Sequence, residues 1–329
     1  MGLTPTAHGP AADPAVADRA AGVLAAMACG DALGAPYEFG PPLTADQPVG
    51  MVGGGAFGWE PGEWTDDTQM AVVVLEAAER AACAGDRLVD RLDDVVAGWV
   101  AWASDAADVG AQTRAVLAAA TDDGPPTAAR ARAAATAHHR ATGRSGGNGS
   151  LMRTAPVALA HLDDASATAD AARAVSELTH HDPDAGDACV LWCAAIRHAV
   201  LAGDLDVRVG LPLLPAASRT RWDGLIAEAE GLDPADFERN GWVVQALQAA
   251  WSAITRTSLP DDGPEHLRRA LEAAVRGGRD ADTVAAITGA LVGARWGLSA
   301  LPEPWLAVVH GWPGLTVHEL ARRGQALAC

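Results

Sequence analysis

The sequence has 329 residues, of which 49% are hydrophobic, and this is enough apolar material for one large core or for two domains. A net charge of −18 at pH 7 excludes bulk electrostatic attraction to a nucleic-acid backbone, although a local arginine patch can still bind phosphate. No unbroken apolar stretch reaches the length that crosses a bilayer, so no membrane partner is predicted.

The N-terminal residues lack the basic segment and apolar core of a secretion signal. We expect a flexible tail over 1–16, followed by a single domain over 17–329. The five cysteines are sparse and odd in number, without the double Cys-x-x-Cys pattern of a metal site. These features predict a cytoplasmic protein in a reducing compartment.

Apolar residues recur with helical spacing along most of the chain, whereas strand signals are scarce. Helices are predicted over 14–34, 66–85, 88–104, 109–121, 126–141, 153–161, 166–180, 185–203, 218–230, 234–256, 264–276, 283–297 and 315–327. Thirteen helices with short connections predict an all-α fold, a compact globule of orthogonally packed helices.

The first predicted helix ends in the sequence Gly-Asp-Ala-Leu-Gly at 30–34, followed by Glu38 in a loop. The two glycines allow close helix packing or backbone approach to a ligand. A solvated surface position is the alternative for Glu38, because most glutamates are exposed.

Two acidic clusters, at 65–68 and 280–283, lie more than two hundred residues apart, and each opens an apolar helix. Either cluster alone is also explained as a helix cap. Together they offer more carboxylates than capping needs, and burying adjacent carboxylates is costly without a cation. The pair therefore predicts one divalent-metal site for a hard cation such as Mg²⁺, Ca²⁺ or Mn²⁺.

A glycine-rich loop at 146–153 precedes another helix and predicts a phosphate cradle of backbone N–H groups, to which Ser150 and Arg153 add side-chain donors. It is not a Walker motif, because no Gly-Lys-Ser/Thr follows, and a flexible turn is the alternative. His180 is either a substrate contact or a helix-terminal histidine. Asp108 is a cap candidate on its local sequence.

These motifs, in this order, resemble the ADP-ribosylglycohydrolase family, which includes dinitrogenase reductase-activating glycohydrolase. The resemblance runs from about residue 17 to 325 and includes Gly-Asp-Ala-Leu-Gly with a following Glu, Thr-Asp-Asp-Thr, Asp-x-Gly at 108–110, Gly-Asn-Gly-Ser-x-Met-Arg at 147–153, Thr-His at 179–180 and Asp-x-Asp-Thr. It implies an all-α fold with a metal-lined cleft that holds two Mg²⁺ or Mn²⁺ ions. The implied metal ligands are Thr65, Asp66, Asp67, Asp280, Asp282 and Thr283.

The resemblance also implies the remaining site residues. Glu38 and Asp108 are the implied catalytic acids, for proton transfer or substrate orientation. The implied substrate contacts are Gly147, Asn148, Gly149, Ser150, Met152, Arg153 and His180.

The implied reaction is metal-dependent hydrolysis of the glycosidic bond between ADP-ribose and an acceptor, which reverses ADP-ribosylation. The expected partner is an ADP-ribosylated protein or a small ADP-ribose conjugate, and the protein itself is expected to be a monomer. Nucleic acid is expected as a partner only if it is itself ADP-ribosylated. The alternatives are a catalytically silent ADP-ribose-binding protein and a binuclear phosphohydrolase acting on a nucleotide diphosphate. The motifs leave open whether the acceptor is arginine, serine, nucleic acid or a small molecule.

Overall fold

The computed structural model describes residues 13–122, 124–258 and 263–328 of the chain. Within these ranges it contains fourteen α-helices: α1 Pro14–Gly34, α2 Asp66–Ala84, α3 Leu92–Ala103, α4 Ala111–Thr121, α5 Ala128–Thr142, α6 Ala155–Ala160, α7 Ala165–Ser176, α8 Pro183–Ala202, α9 Ala216–Gly231, α10 Val243–Thr257, α11 Glu265–Arg276, α12 Ala281–Trp296, α13 Glu303–Leu306 and α14 Val317–Leu327. Two short strands, β1 His310–Gly311 and β2 Leu315–Thr316, pair antiparallel. The predicted all-α class is confirmed.

Short 3-10 turns connect several of the helices. They span Ala35–Tyr37, Leu88–Arg91, Asn148–Ser150, Val207–Leu213, Pro234–Asp236 and Leu298–Ala300. The helix predicted over 88–104 is therefore a 3-10 turn followed by α3, and the short α13 was not predicted.

The predicted N-terminal tail overlaps the first helix. The Asp13 side chain accepts a hydrogen bond from the backbone N–H of Ala15 at 3.0 Å, and α1 begins at Pro14. This is ordinary capping, with proline in the first turn where its missing N–H costs nothing. Residues 14–16 are thus helical, and residues 1–12 lie outside the described residues.

The largest departure from prediction is at 234–256, where one helix was expected. Helix α10 begins only at Val243, after a loop over 237–242. That loop pairs with the glycine-rich segment, since Val243 N donates to Gly146 O at 2.9 Å and Asn148 N donates to Gly241 O at 3.1 Å. Tertiary pairing has overridden a helical sequence pattern here, and it brings the loop to the functional site.

Helices α1 and α12 pack so closely that glycines are required between them. A Cβ atom at Gly30 would lie 2.2 Å from the Ala285 carbonyl oxygen, and one at Gly34 would lie 2.3 Å from the Asp282 Cα. Such distances forbid any side chain. The glycines that the sequence assigned to close packing thus set the acidic start of α12 against the end of α1.

Helix α8 has the length and apolar composition to cross a bilayer, a property that the sequence reading did not identify. In the structure, 78% of its apolar window is buried inside the protein. A core helix meets the same criteria, and α8 packs against α7, α12 and α6.

Candidate metal centre and adjoining cleft

The two acidic clusters meet in space, as the sequence predicted. Carboxylate oxygens of Asp31, Asp67 and Asp282, from α1, α2 and α12, lie within 4.8 Å of one another. A second set of oxygens within the same distance comes from Glu38, Asp280 and Asp282. Because Asp282 belongs to both sets, the arrangement offers places for two neighbouring cations with one shared carboxylate.

Two buried carboxylate oxygens at this point lack any partner among the described residues. They are Oδ1 of Asp67 and Oδ1 of Asp282. The other Asp67 oxygen accepts a hydrogen bond from the Thr65 hydroxyl at 3.0 Å. Leaving a buried carboxylate oxygen unpaired costs free energy that a hard cation would remove. The donor set, of carboxylates and threonine hydroxyls, fits Mg²⁺ or Mn²⁺.

Simple helix capping does not account for these side chains. Thr65 occupies the N-cap position of α2, but its side chain makes no hydrogen bond to a backbone N–H of the helix. The Asp280 side chain instead accepts a hydrogen bond from Asn148 Nδ2 at 2.8 Å. The capping alternative is therefore inadequate at both clusters.

The electrostatics of the site also favour a cation. Burial, followed by repulsion from neighbouring carboxylates, raises the pKa values of Asp66, Asp67 and Asp282 well above their usual range. Burial and the charges of Asp280, Asp108 and Asp31 raise the pKa of Glu38 to about 8. A bound cation would oppose these shifts, because it stabilises the ionised form.

The metal-free protein should therefore lose stability as the pH rises. A carboxyl with a raised pKa in the folded state contributes stability below the unfolded pKa of about 4 and loses it as the pH rises through the folded pKa. The folded values of about 6 for Asp31 and about 8 for Glu38 place the fall between about pH 4, the unfolded value, and about pH 8. Thermal melting across that range in EDTA should show it, and saturating Mg²⁺ should flatten it. Equal slopes with and without Mg²⁺ would contradict the assignment.

Asp31 is a site residue that the sequence analysis did not select. Its Oδ1 accepts from Thr65 N at 2.9 Å, and its Oδ2 accepts from the N–H and hydroxyl of Thr68 at 3.0 and 2.6 Å. It thereby holds the first turn of α2, which carries the two cluster aspartates. The available signal was a lone aspartate within an otherwise apolar run of α1.

A cleft of about 360 Å³ opens over the acidic cluster. Most of the predicted site residues line it: Glu38, Asp66, Asp108, Gly147, Asn148, Gly149, Met152, His180, Asp280 and Thr283. Thr65, Asp67 and Asp282 are buried beneath it. The structure thus brings together residues from separate segments along most of the chain.

A second groove, of about 660 Å³, continues from the cleft through two shared residues, Gln112 and Gly147. Trp242, Arg144 and Arg239 also line this groove. Gln112 was not predicted, yet its Nε2 donates to the carbonyls of Ser145 and Thr179 at 3.1 and 2.9 Å. It therefore joins the glycine-rich loop to the segment that carries His180.

The glycine-rich loop is more fully hydrogen-bonded than a simple N–H cradle would be. The backbone N–H groups of Asn148, Leu151 and Met152 all donate to backbone carbonyls. The Asn148 side chain donates to the Asn240 carbonyl at 3.0 Å as well as to Asp280. Asn148 thus ties the cleft wall to the acidic cluster.

Ser150 and Arg153, both predicted to contact substrate, are fully buried behind the cleft wall. The Arg153 guanidinium lies over the Trp99 ring at 3.9 Å and donates to Thr179 Oγ1 at 2.6 Å. Burial lowers the pKa of Arg153 to about 9. Neither residue lines the cleft, and their direct contact with substrate stays a prediction.

His180 lines the cleft, and its Nδ1 lies beside the Thr179 hydroxyl. Thr179 Oγ1 accepts from Arg153, so its own hydrogen can be donated to His180 Nδ1 at 2.7 Å. Burial, with the nearby Arg153 charge, holds the pKa of His180 well below its usual range. A neutral ring that accepts this hydrogen bond at Nδ1 carries its proton on Nε2, beside Gly147 and Gly149, where an added Cβ would lie 3.4 Å from Nε2.

Comparison with known proteins adds a consistent set of similarities. The sequence model of the ADP-ribosylglycohydrolase family matches residues 12–328. The ADP-ribosylarginine hydrolase Tri1 of Serratia proteamaculans (strain 568) is 28% identical over 298 residues, which cover 88% of this chain and 74% of that protein.

A second relative is the ADP-ribosyl-[dinitrogen reductase] glycohydrolase of Rhodospirillum rubrum. It is 28% identical over 302 residues, which cover 89% of this chain and 91% of that protein. A solved structure described as an ADP-ribosylglycohydrolase-related protein complex superposes with a TM-score of 0.70 at 28% identity, covering 95% of this chain and 98% of the other.

Proposed function

The chain belongs to the ADP-ribosylglycohydrolase family, whose sequence model spans nearly all of it, and from this premise we propose that it removes ADP-ribose from arginine side chains of proteins. Hydrolysis of ADP-ribose linkages is the activity that the relatives share by name. Arginine is favoured as the acceptor because Tri1 of S. proteamaculans is named an ADP-ribosylarginine hydrolase.

One observation of the structure carries the proposal. Carboxylates from the two ends of the chain converge beneath a cleft of about 360 Å³, and two of their buried oxygens lack a partner among the described residues. An acidic floor of this kind is suited to hold cations against the hydroxyls of a sugar.

We assign the metal ligands to both clusters. Two Mg²⁺ or Mn²⁺ ions would be held by Thr65, Asp66, Asp67, Asp280, Asp282 and Thr283, with Asp31 beside Asp67 and Asp282 as a further carboxylate. When bound, such ions polarise substrate oxygens and lower the pKa of a coordinated water.

The chain's own residues supply proton transfer and orientation. Glu38 lies at the cleft surface beside Asp280 and Asp282, where a carboxyl group can exchange protons with a water or a leaving group held in the cleft. In the proposed step a water oxygen bonds to C1″ of the ribose while the C1″–N bond breaks. Glu38 takes the proton from water and returns one to the departing guanidine nitrogen. Asp108, which also lines the cleft, orients a ribose hydroxyl.

The nucleotide portion would extend along the glycine-rich loop. His180 Nε2–H is a neutral donor for a diphosphate oxygen, and Gly147 and Gly149 leave room beside it. The adenosine would then enter the second groove. There the half-buried Trp242 offers an aromatic face, with the Arg239 guanidinium 5.0 Å from its ring centre.

Replacing Trp242 with Ala should raise KM about tenfold and leave kcat within about twofold, because base stacking is worth on the order of 1–3 kcal/mol and is the same in ground and transition states. Steady-state kinetics on ADP-ribosyl-arginine would measure both constants. Trp242→Phe is the matched variant, and it should keep most of the affinity because it keeps a flat ring. A loss of kcat with unchanged KM would place Trp242 outside the nucleotide site.

The proposed function is tested by product analysis. Protein loaded with Mg²⁺ or Mn²⁺ is incubated with arginine- and serine-ADP-ribosylated peptides, beside an EDTA-treated sample, and the products are identified by mass spectrometry. Free ADP-ribose from the arginine peptide alone, only with metal, is the expected result. Release of ADP-ribose from the serine peptide would assign serine as the acceptor residue in place of arginine. AMP with ribose phosphate would show a phosphohydrolase, and binding without release would show a silent relative.

A further inference from the structure

Two exposed phenylalanine rings lie side by side, one of them lining the cleft, and the proposed mechanism does not use them. The chain has three phenylalanines, of which Phe237 is 3% exposed, whereas Phe39 is 67% and Phe57 is 38% exposed. Phe39 directly follows Glu38 and lines the cleft. Exposed aromatic side chains next to a functional site commonly mark a binding surface, since burial would stabilise them.

The two rings form one continuous feature, which we call the aromatic rim. The Phe39 and Phe57 ring centres are 6.4 Å apart with an interplanar angle of 62°, and the Phe57 ring lies 6.0 Å from the ring of the buried Trp59. The edge-to-face arrangement of Phe39 and Phe57 is a favourable aromatic geometry. The aromatic rim therefore extends from Phe39 in the cleft to Phe57, whose ring contacts the indole of Trp59.

The backbone holds the rim in place. Phe39 has a φ of 62°, in the left-handed region that non-glycine residues seldom adopt. The conformation is held by pairing with Arg279, since Phe39 N donates to Arg279 O at 2.6 Å and Arg279 N donates to Gly40 O at 2.7 Å. This pairing exposes a large apolar ring at the edge of the cleft, which a purely structural loop would not require.

The loop that carries Phe57 is equally fixed. Gly54 and Trp59 exchange two backbone hydrogen bonds, of 2.7 and 2.9 Å, around the turn. A Cβ atom at Gly55, whose φ is +68°, would lie 2.6 Å from the Ala35 carbonyl oxygen. The turn is thus seated against the segment just before Glu38, and the rim is ordered before any partner arrives.

We propose that the aromatic rim docks the protein that carries the ADP-ribosylated arginine, through an apolar residue that flanks the modified side chain. This rests on the proposed function and adds to it the surface that distinguishes a protein acceptor from a small conjugate. The ADP-ribose occupies the cleft and the second groove, so the acceptor must leave the site at its mouth. Glu38 and Phe39 line the cleft, and Phe57 lies beside Phe39. The acidic cleft attracts the guanidinium, while the rim contacts its apolar neighbours.

The test compares two substrates with one variant outside the cleft. Phe57→Ser should lower kcat/KM at least tenfold on a folded protein ADP-ribosylated on arginine, through a higher KM. On free ADP-ribosyl-arginine the same variant should stay within twofold of the wild type. Phe57→Leu should recover most of the activity on protein, because it restores apolar area. Leu201→Ser, at a residue 42% exposed near the C-terminal end of α8, is the matched control. It should leave kcat/KM unchanged on both substrates.

Three outcomes overturn the proposal. Equal activity of Phe57→Ser and wild type on both substrates would show that the rim is not used. An equal loss on both would show that the substitution disturbs the cleft. A wild-type dimer that becomes monomeric in Phe57→Ser, seen by light scattering, would assign the rim to a second copy of the chain. Failure of the metal-loaded wild type on both substrates would instead contradict the proposed function.

Discussion

Replacing Asp282 with Asn should reduce kcat/KM by at least about 1000-fold, because the metal contribution of several kcal/mol depends on a carboxylate that belongs to both acidic sets. The substitution keeps the shape of the side chain and removes its charge. Metal affinity, measured by calorimetry with Mn²⁺, should fall with activity.

The same variant has a second readout that does not depend on turnover. Without metal, the buried Asp282 is desolvated and repelled by Asp67, Glu38 and Asp280. A neutral amide at this position is free of that repulsion, so Asp282→Asn in EDTA should melt at a higher temperature than the wild type at pH 8, and should gain less from Mn²⁺. Asp204→Asn, at an exposed carboxylate, is the control and should change neither quantity. A variant that binds Mn²⁺ as the wild type does would exclude Asp282 as a ligand.

Replacing Glu38 with Gln should lower kcat by about 100- to 10,000-fold, which is the usual contribution of a positioned acid or base. KM for ADP-ribosyl-arginine should change little, since the amide keeps the size and polarity of the carboxyl. The measurement is single-turnover release of ADP-ribose at saturating substrate, with Mn²⁺ affinity determined on the same protein.

Two comparisons give this result its meaning. Glu60→Gln, at an exposed carboxylate, should leave kcat unchanged. Asp108→Asn should raise KM more than it lowers kcat if Asp108 orients the ribose. If Glu38→Gln lost Mn²⁺ binding in parallel with activity, Glu38 would be a metal ligand of the Asp280 and Asp282 set and not the proton carrier.

The acidic centre could be predicted from sequence because its signal is chemical and local. Carboxylates beside threonines at the starts of apolar helices are costly to bury, and this holds whatever the fold is. The position of Glu38 beside Asp280 follows from the close packing of α1 on α12, and the glycines of α1 indicated this packing in the sequence. The family resemblance supplied the order of the motifs and the reaction.

Other parts of the site depend on tertiary contacts that leave little trace in the sequence. Arg153 belongs to a motif, but the direction of its side chain is set by Trp99 and Thr179, which come from distant segments. The loop over 237–242 has a helical pattern and was mispredicted because its backbone pairs with the glycine-rich loop. Gln112 was missed because a single amide on an amphipathic helix is indistinguishable from a surface residue until its two carbonyl partners are known.

The glycine contacts between α1 and α12 have a consequence for how the centre responds to its ions. Asp31 and Asp282 project from two helices whose backbones touch, so the core of the protein fixes their separation whether or not a cation is present. Glu38, by contrast, follows a 3-10 turn and stands half-buried at the surface. Ion exchange can then proceed without moving the helices, because the carboxylates from α1 and α12 keep the same separation throughout.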